Sequence, residues 1–108
     1  MVAKRFDVWL INLDPTIGSE IKKTRPCLIM SPDEANQFLS TVIIIPLTST
    51  IKKYPTRINC IFQRKKGQLA TDQIRSLDKI RLIKKSGRLN DAICRNVCDL
   101  LQETFSYE

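Results

Sequence analysis

The apolar residues of this chain come in short runs, and this arrangement limits the fold more than any other feature. The longest run, Val42–Leu47, is continuous and rich in β-branched residues, as expected for a strand buried on both faces. Pro46 near its end predicts a bulge or a sheet edge, because proline cannot donate to a strand ladder. The run is six residues long, whereas a membrane-spanning helix requires roughly 20. We therefore expect a sheet of short strands and no membrane span.

Similar short segments recur along the chain. Arg57–Phe62 alternates polar and apolar residues with the period of two that marks a half-buried strand. Other strands are predicted at Phe6–Leu13, at Cys27–Met30, near Gln68–Gln73 and near Leu77–Ile83, with basic turns at Arg64–Gly67 and Lys84–Gly87. Five or six short strands predict a small, strongly bent sheet or a barrel.

A short helix is predicted between two of these strands. Ser31-Pro32-Asp33-Glu34 has the capping-box form S-x-x-E, with proline at the first helical position. We therefore expect Ser31 to cap a helix that runs through about Leu39.

A second, amphipathic helix is predicted at the C-terminus. Apolar residues recur there at helical spacing, at Ile93, Val97, Leu100, Leu101 and Phe105. Asn90 is the expected N-cap, and Leu89 is expected to pack onto Cys94. Because chains of this length ordinarily form one domain, residues 1–108 are predicted to be a single, mainly β domain with helices (α+β).

The charge of the chain is concentrated in one segment. The net charge is +7, and residues 52–88 hold twelve basic side chains against two acidic ones. Such a segment is a candidate phosphate-binding face, because Lys and Arg attract polyanions. A solvated surface with a basic bias would give the same pattern.

The composition excludes several kinds of active site. The chain has no histidine, which removes the commonest general base and metal ligand. Its three glycines are too dispersed for a dinucleotide or P-loop motif. The four cysteines, Cys27, Cys60, Cys94 and Cys98, form no CxxC pair and are predicted to be reduced core residues. We expect no metal site and no cofactor.

The residue types that remain suit phosphoryl transfer by positioning and charge stabilisation. RNA makes such chemistry accessible, because its 2′-hydroxyl can attack the adjacent phosphate. Arg25 is a natural candidate for charge stabilisation, since its guanidinium matches phosphate geometry. It follows a long polar loop, Asp14–Thr24, of the kind that often carries function.

A series of short motifs extends over nearly the whole chain from about residue 5. They are Asp7-Val8-Trp9, Leu13-Asp14-Pro15-Thr16 with Gly18-Ser19-Glu20, Arg25-Pro26, Ser31-Pro32, Ile45-Pro46-Leu47-Thr48-Ser49, Tyr54-Pro55-Thr56 and Asp72-Gln73-Ile74-Arg75-Ser76-Leu77-Asp78-Lys79. In their order and spacing these motifs resemble the MazF/PemK (Kid) toxins, the endoribonucleases (mRNA interferases) of type II toxin–antitoxin systems.

The resemblance implies a fold, an activity and a set of partners. The expected fold is an SH3-like β-barrel of the CcdB/MazF type with a C-terminal helix. The expected activity is metal-independent, sequence-specific cleavage of single-stranded mRNA by 2′-hydroxyl attack, which inhibits translation and growth. The expected partners are the RNA substrate, a MazE-like antitoxin and a second copy in a homodimer. The N-terminus has no apolar signal core, so we expect a cytoplasmic location.

The resemblance also implies catalytic residues. The Arg of the family's R-P element is Arg25, and the Thr of its P-L-T-S element is Thr48. Glu20 matches a loop acid proposed as a base in some members, although a solvated loop charge is the better explanation from the sequence. Asp72 matches an acid of the PemK/Kid branch, but the Arg that this branch places two residues earlier is Ala70 here. A structural role for Asp72 is therefore as reasonable as a catalytic one.

RNA contacts are expected around these residues, with Lys and Arg holding phosphates and Gln or Ser reading bases. The predicted RNA-binding residues are Thr16, Ser19, Lys22, Lys23, Ser49, Thr50, Arg57, Gln73 and Arg75.

Two other functions fit the same fold. One is a non-catalytic toxin of the gyrase-poison type or an antitoxin-binding module, and the other is a basic RNA-binding barrel without cleavage. Arg25, Thr48 and the Asp72–Arg75 segment favour the nuclease, because a pure binding module has no chemical need for that set.

Overall fold

The computed structural model of this chain describes residues 2–108. Seven strands form one antiparallel sheet in the order β4-β5-β3-β2-β1-β7, with β6 also paired to β3. The elements are β1 (Asp7–Asn12), β2 (Thr24–Ile29), α1 (Asp33–Phe38), β3 (Thr41–Thr48), β4 (Arg57–Phe62), β5 (Lys65–Ala70), β6 (Arg75–Asp78), β7 (Leu82–Arg88) and α2 (Asp91–Thr104). Single 3₁₀ turns precede β6 and β7, at Thr71–Gln73 and Lys79–Arg81. The prediction of a mainly β chain with helices is confirmed.

Strand β3 is the centre of the sheet. One of its edges pairs with β2, and the other pairs first with β6, at Thr41–Ile44, and then with β5, at Leu47 and Thr48. Ile45 and Pro46 lie between the last β6 pair and the first β5 pair. The predicted edge or bulge at Pro46 is wrong, because a change of partner strand makes room for proline within an interior strand. The burial is also less complete than predicted, since Ile43 is 42% exposed.

Alternating residues of β1, β2 and β3 build two core clusters. Trp9, Ile29 and Ile44 belong to one, and their neighbours Val8 and Leu28 belong to the other. Helix α2 packs on the second cluster through side chains that include Cys94 and the fully buried Val97. Burying a side chain such as Val97 stabilises the fold by about 1.5–3 kcal/mol, so packing on the sheet holds this helix in place.

All four cysteines are free thiols. Cys27, Cys60 and Cys94 are buried, and Cys98 is half-buried. The prediction that they are core residues is confirmed for Cys27, Cys60 and Cys94, whereas Cys98 lies at the edge of the core.

Helix α1 forms where it was predicted, but its capping box does not. Residue Pro32 occupies the N-cap position and no side chain caps the helix. The Ser31 hydroxyl instead donates to Asn36 Oδ1 at 2.5 Å and accepts from the Ile43 backbone N–H at 3.0 Å. A buried tertiary contact to β3 has therefore replaced the local cap.

The two predicted basic turns are wrong in detail. The β4–β5 hairpin turns at Gln63 and Arg64, both with positive φ, and strand β5 already begins at Lys65. The second segment, Lys84–Gly87, lies within β7 and pairs with β1. Register irregularities in that pairing blur the period-two pattern by which the strand could be found in the sequence.

The C-terminal helix agrees with its prediction. Asn90 is the N-cap, and its Oδ1 accepts from the Ile93 backbone N–H at 2.9 Å. Leu89 and Cys94 are buried in the same core cluster. No helix within residues 2–108 is long and apolar enough to cross a membrane.

Candidate active site

The register of β2 against β3 brings Arg25 and Thr48 together. Cys27 pairs with Pro46 at the end of this antiparallel ladder, and Arg25 and Thr48 each lie two residues beyond that pair. Residues at the same distance beyond an antiparallel pair project to the same face of the sheet, and both side chains line the same cavities. The two predicted catalytic residues therefore converge where the two strands part.

Arg25 and Thr48 line two cavities at once. The first, called here the loop cavity, has a volume of about 230 Å³ and is lined by Ser19, Glu20, Ile21, Lys22, Arg25, Thr48, Thr50, Lys52, Arg57 and Gln73. The second, the hairpin cavity, has a volume of about 220 Å³ and is lined by Arg25, Pro26, Leu47, Thr48, Ser49, Phe62, Gln63, Lys65, Lys66 and Gly67. The pair thus stands on the boundary between two adjoining recesses, where an extended ligand can pass across it.

The Thr48 hydroxyl is buried and only partly satisfied. Thr48 is 4% exposed, and its Oγ1 accepts from the Thr50 backbone N–H at 3.1 Å. Within residues 2–108 this hydroxyl donates to no acceptor, so its proton is available to a ligand in either cavity.

Arg25 is held by one side of its guanidinium. Nε donates to the Lys22 carbonyl oxygen at 3.1 Å. Among residues 2–108 it forms no ion pair, since the bridges there join Arg57 to Asp72, and Lys85 and Arg88 to Asp7. Its two terminal nitrogens are left to bind an anion, which is the arrangement that phosphate recognition requires.

Gly67 lies against the backbone of Thr48. A Cβ atom at Gly67 would stand 2.8 Å from the Thr48 carbonyl oxygen, closer than real Cβ contacts allow. Only glycine lets β5 approach β3 this closely, and the approach fixes the position of Thr48.

The loop between β1 and β2 is held by polar side chains of its own and by Gln73. Glu20 Oε1 accepts from the Ile17 N–H at 2.5 Å, and Gln73 Oε1 accepts from the Ile21 N–H at 2.6 Å. Asp14 Oδ1 accepts from the Lys23 N–H at 3.1 Å, which closes the neck of the loop. In this arrangement Glu20 and Gln73 shape the wall of the loop cavity.

Asp72 is engaged with Arg57. Arg57 Nε donates to Oδ1 at 2.9 Å, Nη2 donates to Oδ2 at 3.3 Å, and the Thr56 hydroxyl donates to Oδ1 at 3.0 Å. Desolvation by burial raises the pKa of Asp72, but the hydrogen bonds and the Arg57 charge outweigh it, so the net pKa is lowered. Arg57 also stacks over the Tyr54 ring, 5.2 Å from its centroid. Asp72 thus anchors a cation at the edge of the loop cavity.

The remaining predicted residues divide between the two cavities and their surroundings. Ser19, Lys22 and Thr50 line the loop cavity, and Ser49 lines the hairpin cavity. Thr16, Lys23 and Arg75 line neither. Arg75 lines a third cavity of about 190 Å³ beside Asp72 and Gln73, and its Nη1 donates to the Leu13 carbonyl oxygen at 3.4 Å.

Sequence reasoning missed several polar residues of the two cavities. Lys52 lines the loop cavity, and Gln63, Lys65 and Lys66 line the hairpin cavity. All four fall within the basic segment 52–88. The charge pattern marked this region, but no local motif assigned these side chains to the site.

Cys27 lies on β2 two residues after Arg25, and its thiol is not a nucleophile. Burial raises its pKa to about 12, although the charges of Arg75 and Arg25 oppose the rise. Within residues 2–108, no group of three or more Cys, Asp or Glu side chains is placed to hold a metal ion.

Comparisons with known proteins place this chain among toxins. Residues 4–105 match the family described as PemK-like, MazF-like toxin of type II toxin–antitoxin system. The chain is 34% identical to endoribonuclease EndoA of Bacillus subtilis (strain 168), covering 94% of this chain and 93% of that protein.

Solved structures show the same fold. MazF of Deinococcus radiodurans (Form-I) superposes with a TM-score of 0.88 at 24% identity, covering 99% of each chain. A mycobacterial endoribonuclease in complex with its cognate antitoxin superposes with a TM-score of 0.80 at 21% identity, covering 98% of this chain and 99% of that one. The MazF-like fold predicted from the sequence is confirmed.

Proposed function

Because this chain belongs to the PemK-like, MazF-like toxins of type II toxin–antitoxin systems, we propose that its RNA cleavage is carried out by Arg25 and Thr48 at the boundary of the two cavities. The chain is an endoribonuclease, as its relative EndoA is named. The proposal concerns how this activity arises: metal-independent cleavage of single-stranded mRNA at short sequences, which arrests translation and growth.

One observation carries the proposal: Arg25 and Thr48 are shared by both cavities. An RNA strand that occupies both recesses places one phosphate at their boundary, beside the free guanidinium nitrogens and the free hydroxyl proton. These groups are preorganised in the protein, so stabilising charge there costs little reorganisation.

In the proposed reaction the 2′-hydroxyl of one nucleotide gives its proton to solvent as its oxygen attacks its own 3′-phosphorus. The bond from phosphorus to the 5′-oxygen breaks, and that oxygen takes up a proton from solvent. The products are a 2′,3′-cyclic phosphate and a 5′-hydroxyl. Arg25 stabilises the charge of the pentavalent phosphate and donates a hydrogen bond to the leaving 5′-oxygen. Thr48 donates to a phosphate oxygen or to the 2′-oxygen, and no metal ion is required.

We assign the two acidic residues to positioning. Glu20 accepts a backbone hydrogen bond within its own loop, and Asp72 binds Arg57 and Thr56. These contacts support structural roles in the walls of the loop cavity over the catalytic roles considered for both residues.

RNA contacts are proposed for the predicted set according to position. Ser19, Lys22 and Thr50 are placed to contact a nucleotide in the loop cavity, and Ser49 a nucleotide in the hairpin cavity. Arg57 and Gln73 line the loop cavity while engaged with Asp72 and the loop backbone. Contacts by Thr16, Lys23 and Arg75 require RNA that extends beyond both cavities.

As a type II toxin, the chain has an antitoxin as its natural partner, as the mycobacterial endoribonuclease is seen with its own. We propose that a MazE-like antitoxin binds across the two cavities and excludes RNA. We also propose a homodimer and a cytoplasmic location, where mRNA and ribosomes meet the toxin.

The decisive experiment is digestion of a long single-stranded RNA with EDTA present. The wild type is expected to produce discrete fragments with 5′-hydroxyl ends. Arg25→Ala should reduce the rate by about 100-fold or more while the circular dichroism spectrum stays unchanged. A 2′-deoxy sugar at the scissile position should block cleavage.

Other outcomes favour the competing functions. RNA retention without digestion would identify a binding barrel, and neither binding nor cleavage would favour a toxin of the gyrase-poison type. A folded Arg25→Ala variant with wild-type activity would refute the assignment of Arg25.

A further inference from the structure

The last residue of β3 and the irregular segment that follows it carry three side chains of the loop cavity. Thr48, Thr50 and Lys52 all line that cavity, whereas residues 49–54 belong to no strand or helix. Within residues 2–108, no backbone-to-backbone hydrogen bond outside regular elements involves residues 49–53. Something else must hold these side chains in place.

A buried amide, Gln68, supplies that support. It is 3% exposed, and its side chain pairs with both polar groups of the Lys52 backbone. Oε1 accepts from the Lys52 N–H at 3.0 Å, and Nε2 donates to the Lys52 carbonyl oxygen at 3.0 Å. Nε2 also donates to Asn59 Oδ1 at 2.8 Å, which fixes the orientation of the amide.

The backbone of Gln68 holds the other end of the same segment. Gln68 pairs with Thr48 in the β3–β5 ladder. A single residue of β5 therefore fixes the segment where it leaves the sheet and again four residues later. We call this arrangement the Gln68 clamp.

The clamp places a cation in the loop cavity. The Lys52 ammonium forms no hydrogen bond or ion pair within residues 2–108, and it lines the cavity together with Arg25 and Thr48. A flexible, unpaired ammonium is a point charge suited to phosphate. The Lys52 backbone is held at both of its polar groups. Less backbone freedom is therefore lost when the Lys52 ammonium binds a phosphate in this cavity.

We propose that Lys52 is a further RNA-binding residue, contacting a phosphate next to the scissile one, and that Gln68 is the positioning residue for Lys52 and Thr48. The proposal rests on the proposed function of the same cavity. It assigns a role to two residues that the family motifs leave unassigned.

The first test is Lys52→Gln, with Lys53→Gln as the matched control. Lys53 is also exposed and basic but lines none of the cavities described. Removing the Lys52 charge should raise KM about 5- to 10-fold with little change in kcat, and the slope of log KM against log salt should fall by about 0.7, the value for one phosphate contact on a single strand. Lys53→Gln should change KM by less than about twofold. Equal effects of the two variants would overturn the role of Lys52.

The second test is Gln68→Leu, which keeps the approximate size of the side chain, removes its side-chain hydrogen bonds and leaves the backbone pairing with Thr48. KM should rise as in Lys52→Gln, and kcat should fall about 10-fold because the released segment no longer holds the Thr50 N–H against the Thr48 hydroxyl. In the double variant Lys52→Gln/Gln68→Leu, KM should match that of Gln68→Leu within about twofold, because both changes remove the same contact, that of Lys52 with phosphate. Multiplied effects on KM would show that Gln68 does not act through Lys52.

Limited trypsin digestion tests the clamp without using RNA. The bonds after Lys52 and Lys53 should resist trypsin in the wild type, because the Lys52 backbone is paired with Gln68. Gln68→Leu should be cut there about 10-fold faster, and unchanged cutting would overturn the clamp. If the wild type cut no RNA, the proposed function would fail while this measurement still decided the clamp.

A milder variant covers the case in which Gln68→Leu does not fold. Gln68→Glu keeps an acceptor for the Lys52 N–H but sets an oxygen against the Lys52 carbonyl and Asn59. It should show an intermediate trypsin rate and an intermediate kcat, whereas Gln102→Glu, an exposed residue of α2, should match the wild type in both. A Gln68→Glu variant that matched the wild type would contradict the proposal.

Discussion

Two groups of basic residues in this protein have opposite surroundings. Near the start of β1, Asp7 is 1% exposed and accepts from Arg88 Nη1 at 3.0 Å, with Lys85 Nζ at 3.5 Å. Around the loop cavity, Arg25 and Lys52 have no carboxylate partner within residues 2–108. Basic side chains thus pair with a buried carboxylate near β1, whereas those around the loop cavity have no acidic partner within residues 2–108.

The difference separates structural from functional cations. Arg88 and Lys85 are needed because a buried carboxylate is costly without partners. Arg25 stabilises nothing comparable in the folded chain, so its placement beside the buried Thr48 hydroxyl is explained by an anion that arrives from outside. Arg57 is intermediate, since it lines the loop cavity and is also bound to Asp72.

The largest expected effect is on RNA cleavage, at Thr48 beside the unpaired Arg25. Thr48→Val keeps the shape of the side chain and removes the hydroxyl, so cleavage should fall about 100-fold, or about 2.7 kcal/mol of transition-state stabilisation. Loss of the Thr50 N–H acceptor should cost about 1 kcal/mol of unfolding free energy. Cleavage kinetics and urea denaturation measure the two effects.

Thr48→Ser is the control for this prediction, because it restores the hydroxyl. It should recover most of the cleavage rate. A Thr48→Val variant that cleaves as fast as the wild type would contradict the distinction between structural cations near Asp7 and functional cations around the loop cavity.

A smaller effect, on stability and not on cleavage, is expected at Asp7, which pairs with Arg88 and Lys85. Asp7→Asn should lower the unfolding free energy by about 2 kcal/mol, because it weakens hydrogen bonds to charged partners. The folded fraction should cleave RNA at the wild-type rate, since Asp7 lines neither cavity. Urea denaturation and initial rates at 15 °C would show it; a large loss of specific activity would mean that the two groups are coupled.

The smallest effect concerns Asp72, whose pKa lies below its ordinary value of 3.8. A carboxyl with a lowered pKa in the folded state stabilises the fold above its unfolded pKa. That stabilisation is lost as the pH falls through the lower, folded-state pKa. Because the Asp72 side chain is 31% exposed, solvent screening should limit its contribution to less than about 1 kcal/mol.

Asp72→Asn should therefore lower stability slightly at pH 7 and have almost no effect near pH 2. Urea midpoints measured between pH 2 and 7 would test this, with Asp78→Asn as an exposed acidic control. A difference between wild type and Asp72→Asn that grows as the pH falls would contradict the direction of the pKa shift.

What could be predicted from the sequence was decided mainly by how local each interaction is. Asn90 caps the first turn of its own helix, so its role could be predicted from adjacent residues. Ser31 has an equally clear local motif, but it bonds to Ile43 of β3, and a tertiary contact of this kind leaves no trace in the neighbouring sequence. Lys84–Gly87 resembles a turn and becomes a strand because β1 is available to pair with it.

The same distinction applies to the candidate site. Arg25 and Thr48 could be assigned because they lie in motifs that resemble those of a family. Lys52 could not, because its place in the loop cavity depends on Gln68, sixteen residues further along the chain on β5. Charge in the segment 52–88 indicated the region but not the residue.

The contact between Gly67 and the Thr48 carbonyl has a genetic consequence. Every missense change at a glycine codon adds at least a Cβ atom, and at this position the added atom would stand 2.8 Å from a backbone oxygen. Cells that survive this toxin without its antitoxin should therefore accumulate substitutions of many chemical kinds at codon 67.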